Sequence, residues 1–243
     1  MRAIILAAGR GSRMKSLTDE RPKCLVELRG KTLLQWQLGA LREAGINELA
    51  IVTGYKRELL TGYDLVEFFN PRWAETNMVS SLACAQAWLL ADTCIVSYAD
   101  IFYDSSAVSL LVNCAAPLAV TYDCNWLVSW QERFGDPLLD AETFRLKPDD
   151  TLAEIGNKPR SIEEIEGQYM GLLRFTPASW RELCRVRDDL TDLQRDTMHM
   201  TGTLQKIIDA GRMPVRAVRY DRSWGEIDSP GDLSRYEGRR NAT

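Results

Sequence analysis

Residues 1–25 read MRAIILAAGRGSRMKSLTDERPKCL. The apolar run Ala3 to Ala7 has the character of a buried parallel strand, and it empties directly into a small-residue turn, Ala8-Gly9-Arg10-Gly11-Ser12-Arg13. Glycine accepts positive φ and lets the main chain approach a ligand closely, so Gly9 and Gly11 predict a nest of backbone N–H groups suited to an anion. Arg13 adds a planar donor fork, and Lys23, ten residues further along and beside Pro22, adds a second charge on a flexible stem. Turn and cations together predict a triphosphate site.

The spacing excludes the two commonest phosphate loops. A dinucleotide fingerprint requires a third glycine where Met14 stands, and a Walker A loop requires Gly-Lys-Ser/Thr at its end; neither is present. The glycines alone leave open a tight strand-to-helix connection with no ligand.

Composition narrows the class. A chain of 243 residues without a Gly/Ser/Pro-rich linker or charge block is expected to form one domain over 1–243. A net charge of −4 lacks the basic footprint of a nucleic-acid binder, so no nucleic-acid partner is expected. No apolar stretch approaches the roughly 20 residues of a membrane span, and the N-terminus enters a strand rather than a signal peptide. A cytoplasmic protein without a membrane partner is the expectation, and a homodimer is left open. Six cysteines without a Cys-x-x-Cys pair predict buried small hydrophobes, and the single histidine, His199, directs metal chemistry toward carboxylates and Mg²⁺.

Apolar runs alternating with amphipathic stretches predict βαβ units and a parallel sheet. The expected strands are Ala3 to Ala7, Glu48 to Thr53, Leu65 to Asn70, Cys94 to Ala99 and Leu118 to Tyr122. Helices are expected over Leu33 to Ala44, stopping at Gly45, and over Val79 to Leu90 after the loop Glu75-Thr76-Asn77-Met78. In the second half, Leu138 to Leu146 and Thr151 to Ile155 predict a hairpin around Lys147-Pro148-Asp149-Asp150, and Tyr169 to Phe175 a strand returning to the sheet. Helices over Ala178 to Asp188 and Asp196 to Ala210, a strand over Val215 to Arg219 and a closing helix over Pro230 to Arg239 complete the expectation.

A parallel sheet binds ligands beyond the carboxyl ends of its strands. Asp100, in Ser97-Tyr98-Ala99-Asp100, falls at such an end. Glu226 and Asp228, in Trp224-Gly225-Glu226-Ile227-Asp228-Ser229-Pro230, flank one residue and face the same side of an extended segment. Taken alone, each acidic residue is equally well read as a helix cap.

The run Ala-Ala-Gly-Xaa-Gly-Ser-Arg, followed by Arg21-Pro22-Lys23, resembles the signature of the sugar-phosphate nucleotidyltransferase superfamily, enzymes that join an NTP to a phosphate-bearing acceptor and release pyrophosphate. The likeness covers essentially the whole chain. It implies an α/β fold, a Rossmann-like three-layer sandwich with a mostly parallel mixed central sheet. It also implies a nucleotide-binding part over about 1–122, an acceptor-binding part over about 123–225, and a metal-ligand segment with a closing helix over 226–243. The nucleotide would lie on Leu6, Ala7, Ala8, Gly9, Gly11, Ser12, Arg13 and Lys23, with Arg13 and Lys23 as catalytic cations. Asn77, Ser80 and Ser81 of the loop ETNMVSSL would meet the base, though helix capping accounts for the same residues. Asp100 and Asp228 would hold Mg²⁺, two ions with the nucleotide bound, and Glu226 would ligate or stand just behind them. Many relatives carry Asp-Xaa-Asp where this chain has Tyr98-Ala99-Asp100.

Within the superfamily the chain is similar to small cytidylyltransferases that use CTP to activate phosphocholine or phosphonates. The shared segments are ETNMVSSL, Tyr122-Asp123-Cys124-Asn125-Trp126, Glu166-Gly167-Gln168-Tyr169-Met170-Gly171 and Glu226-Ile227-Asp228-Ser229. Trp126, Trp130 and Trp224, with Tyr122, would then wall an acceptor pocket that Tyr169 also lines, and Asp123 and Glu166 would meet an amine. Arg133, Lys158 and Arg160 would meet its phosphonate or carboxylate, and His199 would line the same pocket. Core packing explains the aromatic residues equally well. Two other readings stay open: a hexose-1-phosphate uridylyl- or thymidylyltransferase, and a non-catalytic nucleotide-sensing module.

Overall fold

In the computed structural model, which describes residues 1–238, the first strand lies in the middle of a sheet because it is apolar on both faces. Ala3, Ile5 and Ala7 pack to one side and Ile4 to the other. Along the chain the elements are β1 (Arg2–Ala7), β2 (Glu27–Leu28), β3 (Lys31–Thr32), α1 (Leu33–Glu43), β4 (Leu49–Thr53), β5 (Val66–Phe69), α2 (Met78–Ala83), α3 (Gln86–Ala91), β6 (Cys94–Tyr98), β7 (Ile101–Tyr103) and α4 (Ser105–Val112). They continue with β8 (Leu118–Asp123), α5 (Trp126–Phe134), β9 (Phe144–Leu146), β10 (Leu152–Ile155), β11 (Gln168–Phe175), α6 (Pro177–Asp188), α7 (Asp192–Thr197), α8 (Met200–Ala210), β12 (Arg216–Tyr220), β13 (Trp224–Glu226) and α9 (Pro230–Gly238).

The described residues form a seven-stranded sheet in the order β12-β8-β11-β6-β1-β4-β5. Neighbours run parallel except β11, which is antiparallel to both β6 and β8. Leu34, Leu38 and Leu41 of α1, with Val108 and Leu111 of α4, cover one face. Val79 and Leu82 of α2, Leu89 of α3, Trp180 and Leu183 of α6, and Leu204 and Ile207 of α8 cover the other. The result is the expected α/β three-layer sandwich with a mostly parallel, mixed sheet.

Two connections position the site. Because β11 runs against its neighbours, its first residues, Gln168 and Tyr169, sit at the edge where β6 and β8 end; Gln168 pairs with Asp123 and Tyr169 with Tyr122. The short antiparallel pair β7–β13 sets Glu226 opposite Ile101, and the Ile227 N–H donates to the Asp100 carbonyl at 2.9 Å. Acidic residues more than 120 positions apart in sequence thereby meet.

Several expected elements differ. The helix over Val79 to Leu90 is two, because Cys84 N–H and Ala85 N–H bond three residues back, to Ser81 and Leu82, and tighten the turn. The helix over Asp196 to Ala210 is also two, divided where Met198 and His199 adopt extended backbone. Of Leu138 to Leu146 only Phe144–Leu146 is strand; Pro137–Leu139 forms a 3-10 turn, with the Asp136 side chain accepting from the Leu138 N–H. Arg239, placed at the end of the closing helix, lies outside the described residues. No helix among the described residues is long and apolar enough to cross a membrane.

Candidate active site

The turn after β1 is held open from below. Gly11, not Gly9, takes the left-handed conformation, with φ of 70°, and a Cβ there would stand 2.9 Å from Cβ and Cδ of Lys23. The bare glycine is what lets the Lys23 stem pass beneath the turn. Met14 is fully buried against Leu28, Leu33, Phe102 and Ile227 and pins the loop where a dinucleotide fold would carry its third glycine. The Thr18 hydroxyl donates to the Gly11 carbonyl at 3.1 Å and closes the loop on itself.

Lys23 ends between two carboxylates. Its Nζ lies 2.8 Å from Asp100 Oδ2 and 2.5 Å from Asp228 Oδ1, and Arg13 Nη2 reaches the same Asp228 oxygen at 2.9 Å. Burial disfavours the charged lysine, but Asp100 and Asp228 more than offset this and hold its pKa above the ordinary 10.5. Burial likewise opposes ionisation of Asp228, yet Lys23 and Arg13 hold its carboxyl below the ordinary 3.8. Glu226 goes the other way: burial, then Asp228 and Asp100, push it up to about 8 against Arg133 and Lys23.

Oxygen atoms of Asp100, Glu226 and Asp228 lie within 4.8 Å of one another. The second Asp100 oxygen, Oδ1, is buried without a hydrogen-bond partner. Hard carboxylate donors at this spacing, one with a spare lone pair, fit a divalent cation.

Two cavities meet at these charges. The first, of about 300 Å³, lies over the turn and is lined by Leu6, Ala7, Ala8, Gly9, Gly11, Ser12, Arg13 and Lys23, then Trp73, Thr76, Asn77, Met78 and Ser81, and Asp100. The second, of about 210 Å³, is lined by Arg13, Glu226 and Asp228 together with Asp140, Glu142, Gln168, Tyr169, His199, Thr201, Trp130 and Trp224. Met78 and Tyr98 line both cavities. A Cβ on Gly171, at φ of 78°, would approach the Tyr98 ring to 2.9 Å, so the ring stands in the space the glycine leaves.

The sequence profile of the MobA-like NTP transferase domain matches residues 3–162. The chain belongs to the MobA-like NTP transferase family. Among relatives of this MobA-like transferase, the CTP:phosphoglutamine cytidylyltransferase of Campylobacter jejuni is 39% identical over 249 aligned positions, covering 96% of this chain and 98% of that protein. The choline-phosphate cytidylyltransferase of Streptococcus pneumoniae is 41% identical over 86 residues, covering 34% of this chain and 38% of that one. Among solved structures, an inositol-1-phosphate CTP transferase from T. maritima superposes with a TM-score of 0.77 at 19% identity, over 97% of this chain and 93% of that one. The nucleotidyltransferase resemblance carried by the first strand and turn is borne out, and so is the fold that it implies. The protein is an enzyme of the nucleotidyltransferase class.

In the MobA-like domain and the segment after it, the residues singled out from sequence fall into two sets. Leu6, Ala7, Ala8, Gly9, Gly11, Ser12, Arg13, Lys23, Asn77, Ser81 and Asp100 line the first cavity; Trp130, Tyr169, His199, Trp224, Glu226 and Asp228 line the second. Asn77 also caps α2, its side chain accepting from the Met78 N–H. The other residues lie outside both linings. Ser80 Oγ accepts from Arg187 and donates to the Arg195 carbonyl. Asp123 accepts from Trp224 Nε1 and the Asn125 N–H. Trp126 is buried with Trp130, Ala141 and Ile165. Lys158 Nζ bonds the Leu138 carbonyl, and Glu166 Oε2 accepts from the Leu146 N–H.

Arg133 corrects the sequence reading most instructively. Its guanidinium is already spent on carboxylates, at 3.0 Å from Glu226 and 2.9 Å from Asp232, with Asp228 at 3.8 Å and only 3% of the side chain exposed. It braces acidic residues rather than facing an acceptor anion.

Sequence reasoning missed Trp73, Glu142 and Gln168. Trp73 and Glu142 carry no local signal, since only tertiary contacts bring them to the cavities. Gln168 was legible in principle, as the first residue of a returning strand that starts where parallel strands end.

Proposed function

We propose that the protein transfers CMP from CTP to a small phosphomonoester or phosphonate. An acceptor oxygen attacks the α-phosphorus, a new P–O bond forms, the bond to the β-phosphate bridging oxygen breaks, and pyrophosphate leaves. The carrying observation is the Lys23 ammonium, buried beneath the glycine turn and bonded to Asp100 and Asp228 at the seam of the two cavities.

The reaction brings two anions together, so charge neutralisation is the main catalytic task. Arg13 and Lys23 supply fixed positive charge on the triphosphate side. Asp100 and Asp228, with Glu226 beside them, would hold Mg²⁺, which when bound adds Lewis-acid neutralisation of the reacting phosphates. A phosphate or phosphonate monoester is already ionised near neutral pH, so the chain's residues need not remove a proton from it, in keeping with a single histidine. The first cavity would take the nucleotide, with Ser81, Thr76 and Trp73 near the base, and the second the acceptor. The choice of CTP is supported by the names of the relatives, several of which are cytidylyltransferases.

Lys23→Ala tests the assignment. Loss of one preorganised charge in such a site lowers kcat by about 10²–10³-fold. Pyrophosphate release from CTP, Mg²⁺ and a panel of phosphomonoesters and phosphonates reads the effect; wild-type rates in the variant would refute the role.

A further inference from the structure

The lining of the second cavity is mixed in charge. Among the described residues that line it, Arg13 is the sole arginine or lysine, and it stands beside Asp228, which marks the end for the acceptor's phosphate. The same lining carries Glu142 and Gln168. Glu142 has no lysine or arginine among the groups acting on it: burial and Asp140 push its carboxyl up, against the Thr201 hydroxyl and His199. Gln168 Oε1 is buried with no hydrogen-bond donor. A buried acceptor atom left unpaired is costly and calls for a donor from the ligand.

The aromatic residues nearby are not free to cage a quaternary ammonium. Trp130 stacks on Trp224 at 6.5 Å and 29°, and the Arg133 guanidinium already lies 5.0 Å from the Trp130 ring centre. Trp126 is buried edge-on to Trp130. Tyr98 and Tyr169, the tyrosine rings of the lining, pack edge to face on each other at 5.8 Å, and a trimethylammonium group, having no N–H, would leave Gln168 Oε1 unpaired.

Resting on the proposed cytidylyl transfer, we propose that the acceptor's far end is an ammonium bearing N–H groups, recognised by the Glu142 carboxylate and the Gln168 side-chain carbonyl, so that the enzyme selects primary amines over quaternary ones. The matched probes are phosphoethanolamine and phosphocholine, which differ only in three N-methyl groups. Pyrophosphate release with CTP and Mg²⁺ is expected to give a kcat/KM at least tenfold higher for phosphoethanolamine. Gln168→Met and Glu142→Gln each narrow that ratio to threefold or less, through the amine, while the KM for CTP stays within twofold. A merely structural role for either residue would lower both acceptors together and leave the ratio where it was.

Equal or greater efficiency with phosphocholine overturns the inference and leaves cytidylyl transfer standing. A ratio unchanged in both variants overturns the assignment to Glu142 and Gln168. No release from CTP with any phosphorylated acceptor overturns the transfer reading and this inference with it.

Discussion

At the scale of single residues, Gly11 and Lys23 form one unit. The turn reads as glycine-rich in sequence, but only Gly11 needs its freedom, and it needs it twice: for a φ of 70° and for the passage of the Lys23 stem 2.9 Å away. Gly11→Ala is therefore expected to cost about 1–2 kcal/mol from the left-handed backbone alone. Its Cβ also displaces Lys23, so turnover falls more than stability does. Denaturant unfolding and pyrophosphate release measure the two effects, and an alanine variant with full turnover would contradict the coupling. Glu226 makes a pH prediction. Its carboxyl is raised from the ordinary 4.5 to about 8, so the folded state favours the protonated form. That contribution to stability is complete below pH 4.5 and is lost as pH rises toward 8. Melting temperatures without divalent ions should fall across that window, Mg²⁺ should remove the fall, and Glu226→Gln should flatten it; a variant with the wild-type slope would contradict the assignment. Gly11, Lys23, Asp100 and Asp228 were legible because a local motif or a strand end announces each. Glu142 and Trp73 were not, because nothing within a few residues of either distinguishes it from a surface glutamate or a core tryptophan.

At the scale of elements, short strands and one helix matter more than the long ones. The central strands were readable from their apolar runs, since burial on both faces leaves a continuous signal. The pair β7–β13 has three residues in each strand and no periodicity to detect, yet it joins Asp100 to Glu226 and Asp228. Helix α5 was also unforeseen, its tryptophans having been read as pocket wall. Its Arg133 ties together the ends of β13 and α9 through Glu226 and Asp232, and Asp232 in turn accepts from the N–H groups of Asp228 and Ser229 at 3.1 and 2.9 Å. Removing the cation leaves buried carboxylates unpaired, so Arg133→Met is expected to lose about 3–5 kcal/mol of stability. Equilibrium unfolding checks this. Variants with an unchanged midpoint would show that the carboxylates find other partners. The divided helices at Cys84–Ala85 and Met198–His199 were missed for a related reason: apolar spacing continues through each break, and only backbone bonding reveals it.

At the scale of the whole molecule, the sheet order brings the carboxyl ends of β1, β6 and β8 and the start of β11 to one edge, and both cavities open there. About half of the first cavity's lining comes from one continuous segment, residues 1–25, which is why that half could be read from sequence. The second cavity gathers residues from positions 13 to 228, which is why less of its lining could be read from sequence: Trp130, Tyr169, His199 and Trp224 line it, and Asp123, Trp126, Arg133, Lys158 and Glu166 do not. The two sides meet at Lys23, Asp100 and Asp228, and transfer should require both to be filled. Pyrophosphate release measured with CTP, GTP, ATP or UTP in turn, with and without a phosphorylated amine and Mg²⁺, tests this directly. Release is expected with CTP alone among the four, only when acceptor and Mg²⁺ are both present, and at less than about a hundredth of that rate in Asp228→Asn. Release at the same rate without acceptor, with another nucleotide preferred, or undiminished in Asp228→Asn would contradict it.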